Sequence, residues 1–368
     1  MKPVFVLQRI LPDYREGFYA ALQQLIPNKF VVTNGVDRFT DALKPSAQSA
    51  EWILPIHNTY CLRNRLLWQS GRWRQIIAAP LLVAELNPRI VSTWLLLVIR
   101  RVLRRPSVLW GHSRSLGNRQ WLISRLRFWQ CRLADGILAY TDHQAGEFRL
   151  EVKGRDVFVA PNACVDESQC KVACNSDRFG ILYVGRLIAE KNLRMLFQAF
   201  SIASEQLPKE VTLEIVGDGP LRAELQSLAK QFRLEGRIHF HGHVVQPGEL
   251  ARIYALAICS VSPGYVGLTA IQSIARGVPI VVADKEAHSP EIEACIEGKT
   301  ALFFAAGSAQ CLAERIIELY LHKQTWEARR ESLSSFVKTT YTYQAMARGF
   351  ANMVEVMIPR RDEFRTAR

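Results

Sequence analysis

Between residues 180 and 283 the chain alternates short apolar runs, each closed by glycine or a turn, with longer stretches whose apolar residues recur at helical period. Residues 180–185 (GILYVG) suit a buried parallel strand. The following 192–206 carry Leu193, Met195, Leu196, Ala199, Phe200 and Ile202 near helical spacing. Strand signals at 211–217, 238–240, 257–261 and 279–283 alternate with helices over 221–232 and from Leu268. Pro220 suits a first helical turn, where its missing N–H would be unsatisfied anyway. This order predicts a doubly wound, mostly parallel α/β sheet, and ligands bind such sheets at the C-terminal ends of the strands.

The first half is less regular but similar in kind, with strand candidates at 4–7, 30–32, 90–92, 107–110 and 136–140. A chain of 368 residues is too long for one ordinary core. The polar stretch 164–178 is the expected boundary. We therefore expect an N-terminal domain over 1–163, joined by a C-terminal helix within 338–360, and a second domain over 164–337.

Charge is placed unevenly. Residues 1–160 hold 23 Lys and Arg against 11 Asp and Glu, so nearly all of the net +13 belongs to the first half. Such a field attracts a polyanion, an anionic membrane face or a phosphorylated substrate. Zinc-finger spacing, RNP-type aromatic motifs and basic zippers are missing, which argues against nucleic acid. The apolar run 91–99 ends at Arg100, Arg101, Arg104 and Arg105, short of the ~20 residues needed to span a bilayer. Residues 118–134 combine Trp121, Leu122, Leu126, Phe128, Trp129 and Leu133 with Arg119, Arg125, Arg127 and Arg132. That mixture fits a helix lying on an anionic membrane, or an ordinary domain helix with snorkelling arginines. The N-terminal run is too short and too soon charged for a secretory signal, so a cytoplasmic protein is expected. Eight cysteines include no Cys-x-x-Cys pair, and Cys170 with Cys174 is weak evidence for zinc; reduced thiols and no metal site are expected.

Two turns carry anion chemistry. Residues 185–192 (GRLIAEKN) pass from a buried strand into a helix. Gly185 lets backbone approach, the helix start offers free amides, and Arg186 and Lys191 supply charge. Residues 262–273 (SPGYVGLTAIQS) repeat the arrangement, with Gly264, Val266, Gly267, Leu268 and Thr269 at the turn and amides near 266–269 to hold phosphate from another side. Such sites suit a diphosphate, whose charge builds as a leaving group departs. A solvated strand–helix turn is the plain alternative for either one alone. In the first half, His112 follows a strand signal, where its imidazole either serves substrate hydroxyls or is a satisfied structural group. Asp13, Tyr14, Arg15 and Glu16 follow the first strand and are candidates for acceptor contact or for surface charge. Glu85 has only its charge to recommend it as acid or base.

The segments Val184-Gly185-Arg186-Leu187 with Glu190-Lys191-Asn192, Ile215-Val216-Gly217-Asp218-Gly219-Pro220, and Gly267-Leu268 with Ala275-Arg276-Gly277-Val278-Pro279 resemble glycosyltransferase family 4 in order and spacing. Pro161-Asn162 and Pro290-Glu291 fit the same pattern, which is strong over residues 160–305 and faint before. The resemblance implies a GT-B fold, two Rossmann-like domains facing a cleft, and a retaining, metal-independent transfer from a nucleotide diphosphate sugar. It also implies that no cofactor is needed, that Arg186 and Lys191 hold the diphosphate, and that Glu291 lies near the donor pocket. The acceptor it implies is a glycan hydroxyl, as in bacterial capsule, O-antigen or exopolysaccharide synthesis; the basic first half suits a lipid-linked one at the inner membrane face. Most family members carry two glutamates eight positions apart, and the matching positions here are Gly264 and Gln272. Gln272 retains groups able to bind a ribose hydroxyl, whereas Gly264 cannot replace a carboxylate. The pattern resembles a variant subgroup with an altered donor pocket. A sugar-nucleotide epimerase of the same fold and a non-catalytic nucleotide- or glycan-binding protein are the alternatives.

Overall fold

The computed structural model describes residues 2–35, 50–113, 120–173, 177–244 and 246–358. Asn118, Arg119 and Cys174 lie outside these residues. The chain forms two compact units, Met1–Cys164 with Tyr343–Arg368, and Val165–Thr342.

In the first unit, strands β1 (Val4–Leu7), β2 (Phe30–Gly35), β3 (Ile53–Cys61), β4 (Leu66–Ser70), β5 (Leu82–Glu85), β6 (Ser107–Trp110), β7 (Gly136–Ala139) and β8 (Asp156–Val159) form one sheet. Its order is β4-β3-β2-β1-β5-β6-β7-β8. All pairs are parallel except β3 with β4. The helix Tyr343–Met357 from the chain's far end packs on Glu16–Leu25, and Phe18, Trp110, Met346 and Phe350 join one core. Each such fully buried side chain contributes about 1.5–3 kcal/mol.

The expected strand at 90–92 is not one. Ile90 makes an isolated bridge to Leu67, and Val91–Val102 is a helix. Its buried residues Ser92, Thr93, Leu96, Leu97 and Arg100 follow helical rather than alternating period. Arg100, which sequence alone makes look like the polar end of an apolar run, is fully buried. Its Nη1 donates to the carbonyls of Ile76, Ile77 and Ala79 at 2.7, 3.2 and 3.2 Å, its Nη2 to Pro106 at 2.7 Å and its Nε to Ser107 Oγ at 3.0 Å. Carbonyls left over at the end of the helix Trp73–Ala78 are thus satisfied by a side chain.

The second unit contains β9 (Gly180–Val184), β10 (Thr212–Val216), β11 (Ile238–Gly242), β12 (Ala257–Ser262), β13 (Ile280–Ala283) and β14 (Ala301–Phe304). All pairs are parallel, in the order β11-β10-β9-β12-β13-β14. Strand order reverses between β9 and β12, which opens a crevice at their C-terminal ends. Ile181, Leu213, Ile215, Cys259 and Val281 of the sheet bury against Leu196, Phe197 and Phe200 of the helix Leu193–Ser204.

Candidate functional site

Three loops at the C-terminal ends of β9, β12 and β13 come together in the second unit. The first, 185–192, is stitched to the loop after β10: the Gly185 amide donates to Val216 O at 2.9 Å, and the Leu187 amide to Asp218 O at 3.0 Å. Gly217 makes this possible. Its φ is +133°, and a Cβ there would stand 1.9 Å from Gly185 O. Arg186 is exposed, and its carbonyl accepts from Tyr183 Oη at 2.9 Å. The Lys191 and Asn192 amides close a 3₁₀ turn onto Ile188 and Ala189, so they are not open to a ligand. Those of Leu193 and Arg194, at the helix start, have no hydrogen-bond partner among the described residues.

The second loop meets the first. Lys191 Nζ donates to Tyr265 O at 2.9 Å and lies 3.3 Å from the Tyr265 ring centroid. Burial, and then Arg186, lower the Lys191 pKa to about 8. Among the described residues Lys191 has no carboxylate partner. Gly264 is buried against the backbone of the first loop, and a Cβ there would lie 2.5 Å from Glu190 O. The loops fill the volume that a side chain at this position would need, which accounts for a glycine here.

The third loop pins the second. His288 Nδ1 accepts from the Val266 amide at 3.0 Å, and Nε2 faces Ala283 O at 3.1 Å, which assigns the proton to Nε2. Burial is the main cause of a lowered His288 pKa. The Ser289 amide donates to Val266 O at 3.1 Å, and Asn192 Nδ2 donates to Glu286 Oε1 at 3.1 Å. The Val266 amide, expected to be free for phosphate, is therefore taken by His288. The Gly267 and Thr269 amides have no partner among the described residues. Leu268 precedes the helix Thr269–Ala275, on which Gln272 is half-buried. Glu291 is 3% exposed, in a 3₁₀ turn packed on that helix. His288, Glu286 and Tyr265 carry much of this geometry and had no role in the sequence reading, since their partners lie 22 to 94 residues away in the chain.

In the first unit His112 follows β6. Its Nδ1 lies 3.4 Å from Gln144 Nε2, and its ring is 4.7 Å from that of Tyr140. Burial, then Arg127 and Arg15, lower its pKa to about 4, so the imidazole is neutral near pH 7. Of the two readings given for Arg15, acceptor contact or surface charge, its burial removes the second. Arg15 is 8% exposed, donates from Nη2 to Tyr140 Oη at 2.6 Å and packs 4.6 Å from the Trp110 ring centroid. Asp13 is exposed and Tyr14 half-buried, with Asp13 Oδ1 accepting from the Tyr14 amide at 2.7 Å. Glu85, at the end of β5, binds Arg9 Nε at 2.8 Å.

The family profile described as glycosyl transferases group 1 matches residues 165–338. This unit belongs to that family. The glycosyl transferase unit carries all three loops. Over 193 residues the chain is 23% identical to the poly(glycerol-phosphate) alpha-glucosyltransferase of Bacillus subtilis, covering 50% of this chain and 28% of that protein. Over 117 residues it is 32% identical to the N-acetylgalactosamine-N,N'-diacetylbacillosaminyl-diphospho-undecaprenol 4-alpha-N-acetylgalactosaminyltransferase of Campylobacter jejuni, covering 32% of this chain and 30% of the relative. The chain thus spans less than a third of either relative's length. Beyond the glycosyl transferase unit the likeness is one of fold. The crystal structure of HepE from Anabaena in complex with UDP matches with a TM-score of 0.69 at 17% identity, over 97% of this chain and 100% of that one. The chain has the GT-B fold, two Rossmann-like units in succession. Among the described residues no helix is long and apolar enough to cross a membrane.

Proposed function

We propose that the chain is a retaining glycosyltransferase that moves a sugar from a UDP-sugar to a hydroxyl of a lipid-linked glycan, in bacterial surface polysaccharide synthesis at the inner face of the cytoplasmic membrane. The observation that carries this reading is Lys191, a half-buried cation without a carboxylate partner among the described residues, at the crevice where the family's loops meet. Arg186, Lys191 and the Gly267 and Thr269 amides take the departing diphosphate, and Gln272 a ribose hydroxyl. No metal is required, because these groups carry the charge that builds on UDP. The acceptor oxygen attacks the anomeric carbon on the face from which the diphosphate leaves. One C–O bond forms as the other breaks, and the acceptor proton passes to the departing phosphate oxygen. Neutral His112 binds a substrate hydroxyl, and Asp13 and Tyr14 face the acceptor. The UDP in the HepE complex supports the base. The diphospho-undecaprenol in the Campylobacter relative's name supports a lipid-linked acceptor. Both relatives' names specify an alpha product, which an alpha-linked donor gives by retention.

The closed Gly264 position favours a second reading, a protein that binds nucleotide without turning it over. One experiment separates them. Thermal shift with UDP and GDP establishes binding, since a ligand of the native state alone raises the melting temperature. Radiolabelled UDP-sugars with membrane-extracted lipid-linked glycans then test transfer. UDP stabilisation with incorporation that Lys191→Ala abolishes supports the transferase; stabilisation without incorporation on any acceptor supports the second reading.

A further inference from the structure

We infer that the outward faces of the helices Val91–Val102 and Gln120–Leu133 dock the protein on an anionic phospholipid surface. This names the partner surface of the membrane-face reading above and rests on it. The first helix leaves Val91, Leu95, Val98 and Val102 at 38, 42, 45 and 76% exposure, followed by Leu103 at 50%. Steps of four, three and four residues put the first four in one stripe along the helix. The second helix leaves Leu126 at 46% and Trp129 at 57%. A single exposed apolar residue needs no explanation, but a continuous stripe does.

The two stripes are neighbours. Leu96 and Leu97 of the first helix, Cys131 of the second and Ala134 just beyond it bury in the same core, so both helices cover one face of the first sheet. Arg101 Nη1 donates to Arg132 O at 3.1 Å, tying the helix ends together. Their outward faces therefore lie side by side.

Charge selects the partner. From Glu85 to Asp135 the chain has no acidic residue between and ten arginines. Arg101, Arg104, Arg125 and Arg132 are exposed on these helices or just past them. Aliphatic side chains and an indole on helices that also expose guanidinium groups match the interface of an anionic bilayer, where tryptophan settles at headgroup depth and arginine meets phosphate. A nucleic acid would satisfy the arginines and leave the aliphatic stripe wet. Twelve residues of helix extend about 18 Å, too short to span a ~30 Å core, so the helix lies along the surface.

The test is cosedimentation of the full chain with vesicles of equal parts phosphatidylglycerol and phosphatidylcholine, and with phosphatidylcholine alone. Wild type is expected to pellet with the first and not the second. Leu95→Ser with Val98→Ser is expected to weaken partition by about a hundredfold. Arg101→Gln with Arg104→Gln is expected to weaken it by about thirtyfold. Leu150→Ser, at a 78% exposed site on another helix, is expected to leave it unchanged. Circular dichroism melting of each variant separates lost binding from lost fold. Wild type that stays in the supernatant, or a folded L95S/V98S variant that binds as well, overturns the proposal. Self-association that the same variant abolishes, without vesicle binding, assigns the face to a second copy and also overturns it. Vesicle binding needs neither donor nor acceptor, so its failure leaves the transferase reading standing, and failed transfer leaves this one standing.

Discussion

Lys191 spans the crevice between β9 and β12, with its ammonium group 2.9 Å from the carbonyl oxygen of Tyr265 and 3.3 Å from the centre of that residue's ring. The loops proposed to share a diphosphate are thus already in contact, held by a cation whose charge is tunable. Because its pKa is lowered to about 8, Lys191 is protonated below that pH and increasingly neutral above it. Diphosphate binding favours the protonated form. Affinity for UDP is therefore expected to hold from pH 6 to 7.5 and to fall by about tenfold per unit above 8. Lys191→Arg should flatten this limb while keeping most of the affinity. Calorimetry across the pH series checks both.

Gly264→Glu introduces the carboxylate that the family resemblance leads one to expect at this position. Here it is expected to fail. The new Cβ would fall 2.5 Å from Glu190 O, a backbone atom that cannot swing aside, and the first and second loops would have to part. A loss of about 1–3 kcal/mol in urea unfolding, with weaker UDP binding, is expected. Gln272→Glu, at a half-buried helical site, should cost less than 1 kcal/mol. Equal stability of the two variants would disprove the packing account.

Burial holds His288 below the ordinary histidine range, and the Val266 amide needs a bare Nδ1, while the Ala283 carbonyl that accepts from Nε2 pulls the other way. Its folded-state pKa lies below its unfolded value, so the stabilisation is fully present above about pH 6.5 and is lost as pH falls below it. Melting temperature is expected to drop between pH 6.5 and 5, and less steeply in His288→Ala. That variant should also cost about 1–3 kcal/mol at pH 7.5, because the Val266 amide is orphaned.

Arg100→Met should be among the most damaging single changes in the first unit. It strips the donor from four backbone carbonyls and one hydroxyl in a site without water access. A loss of about 3–5 kcal/mol in unfolding free energy, measured by urea denaturation, is expected, and Arg100→Lys should recover only part of it.

The second sheet was largely legible because its strands are short buried runs bounded by glycine, proline and helices of clear period. The first was less so for identifiable reasons. β5 sits in an unbroken apolar tract from Ile76 to Ala84, interrupted only by Pro80, that periodicity cannot divide. β3 and β4 form a polar antiparallel extension, and at residues 90–92 a helix start looks like a strand because three residues are too few to show a period. At the site, Arg186 and Lys191 could be chosen from their neighbours in sequence. The loss of the Val266 amide could not, since it depends on a histidine brought back by the following strand. Arg15 and Arg100 look like solvent-facing charge in a linear reading, yet tertiary packing encloses both.

The first unit has a crevice of its own where strand order turns back, between β1 and β5. There Arg9, two residues past β1, is paired with Glu85 at 2.8 Å, whereas Lys191 in the second unit leans on a carbonyl and an aromatic face. One architecture, used twice, has been given opposite electrical settings. Under the proposed function, a phosphate meets a cation already paired with a carboxylate in one half and, among the described residues, one without such a pairing in the other.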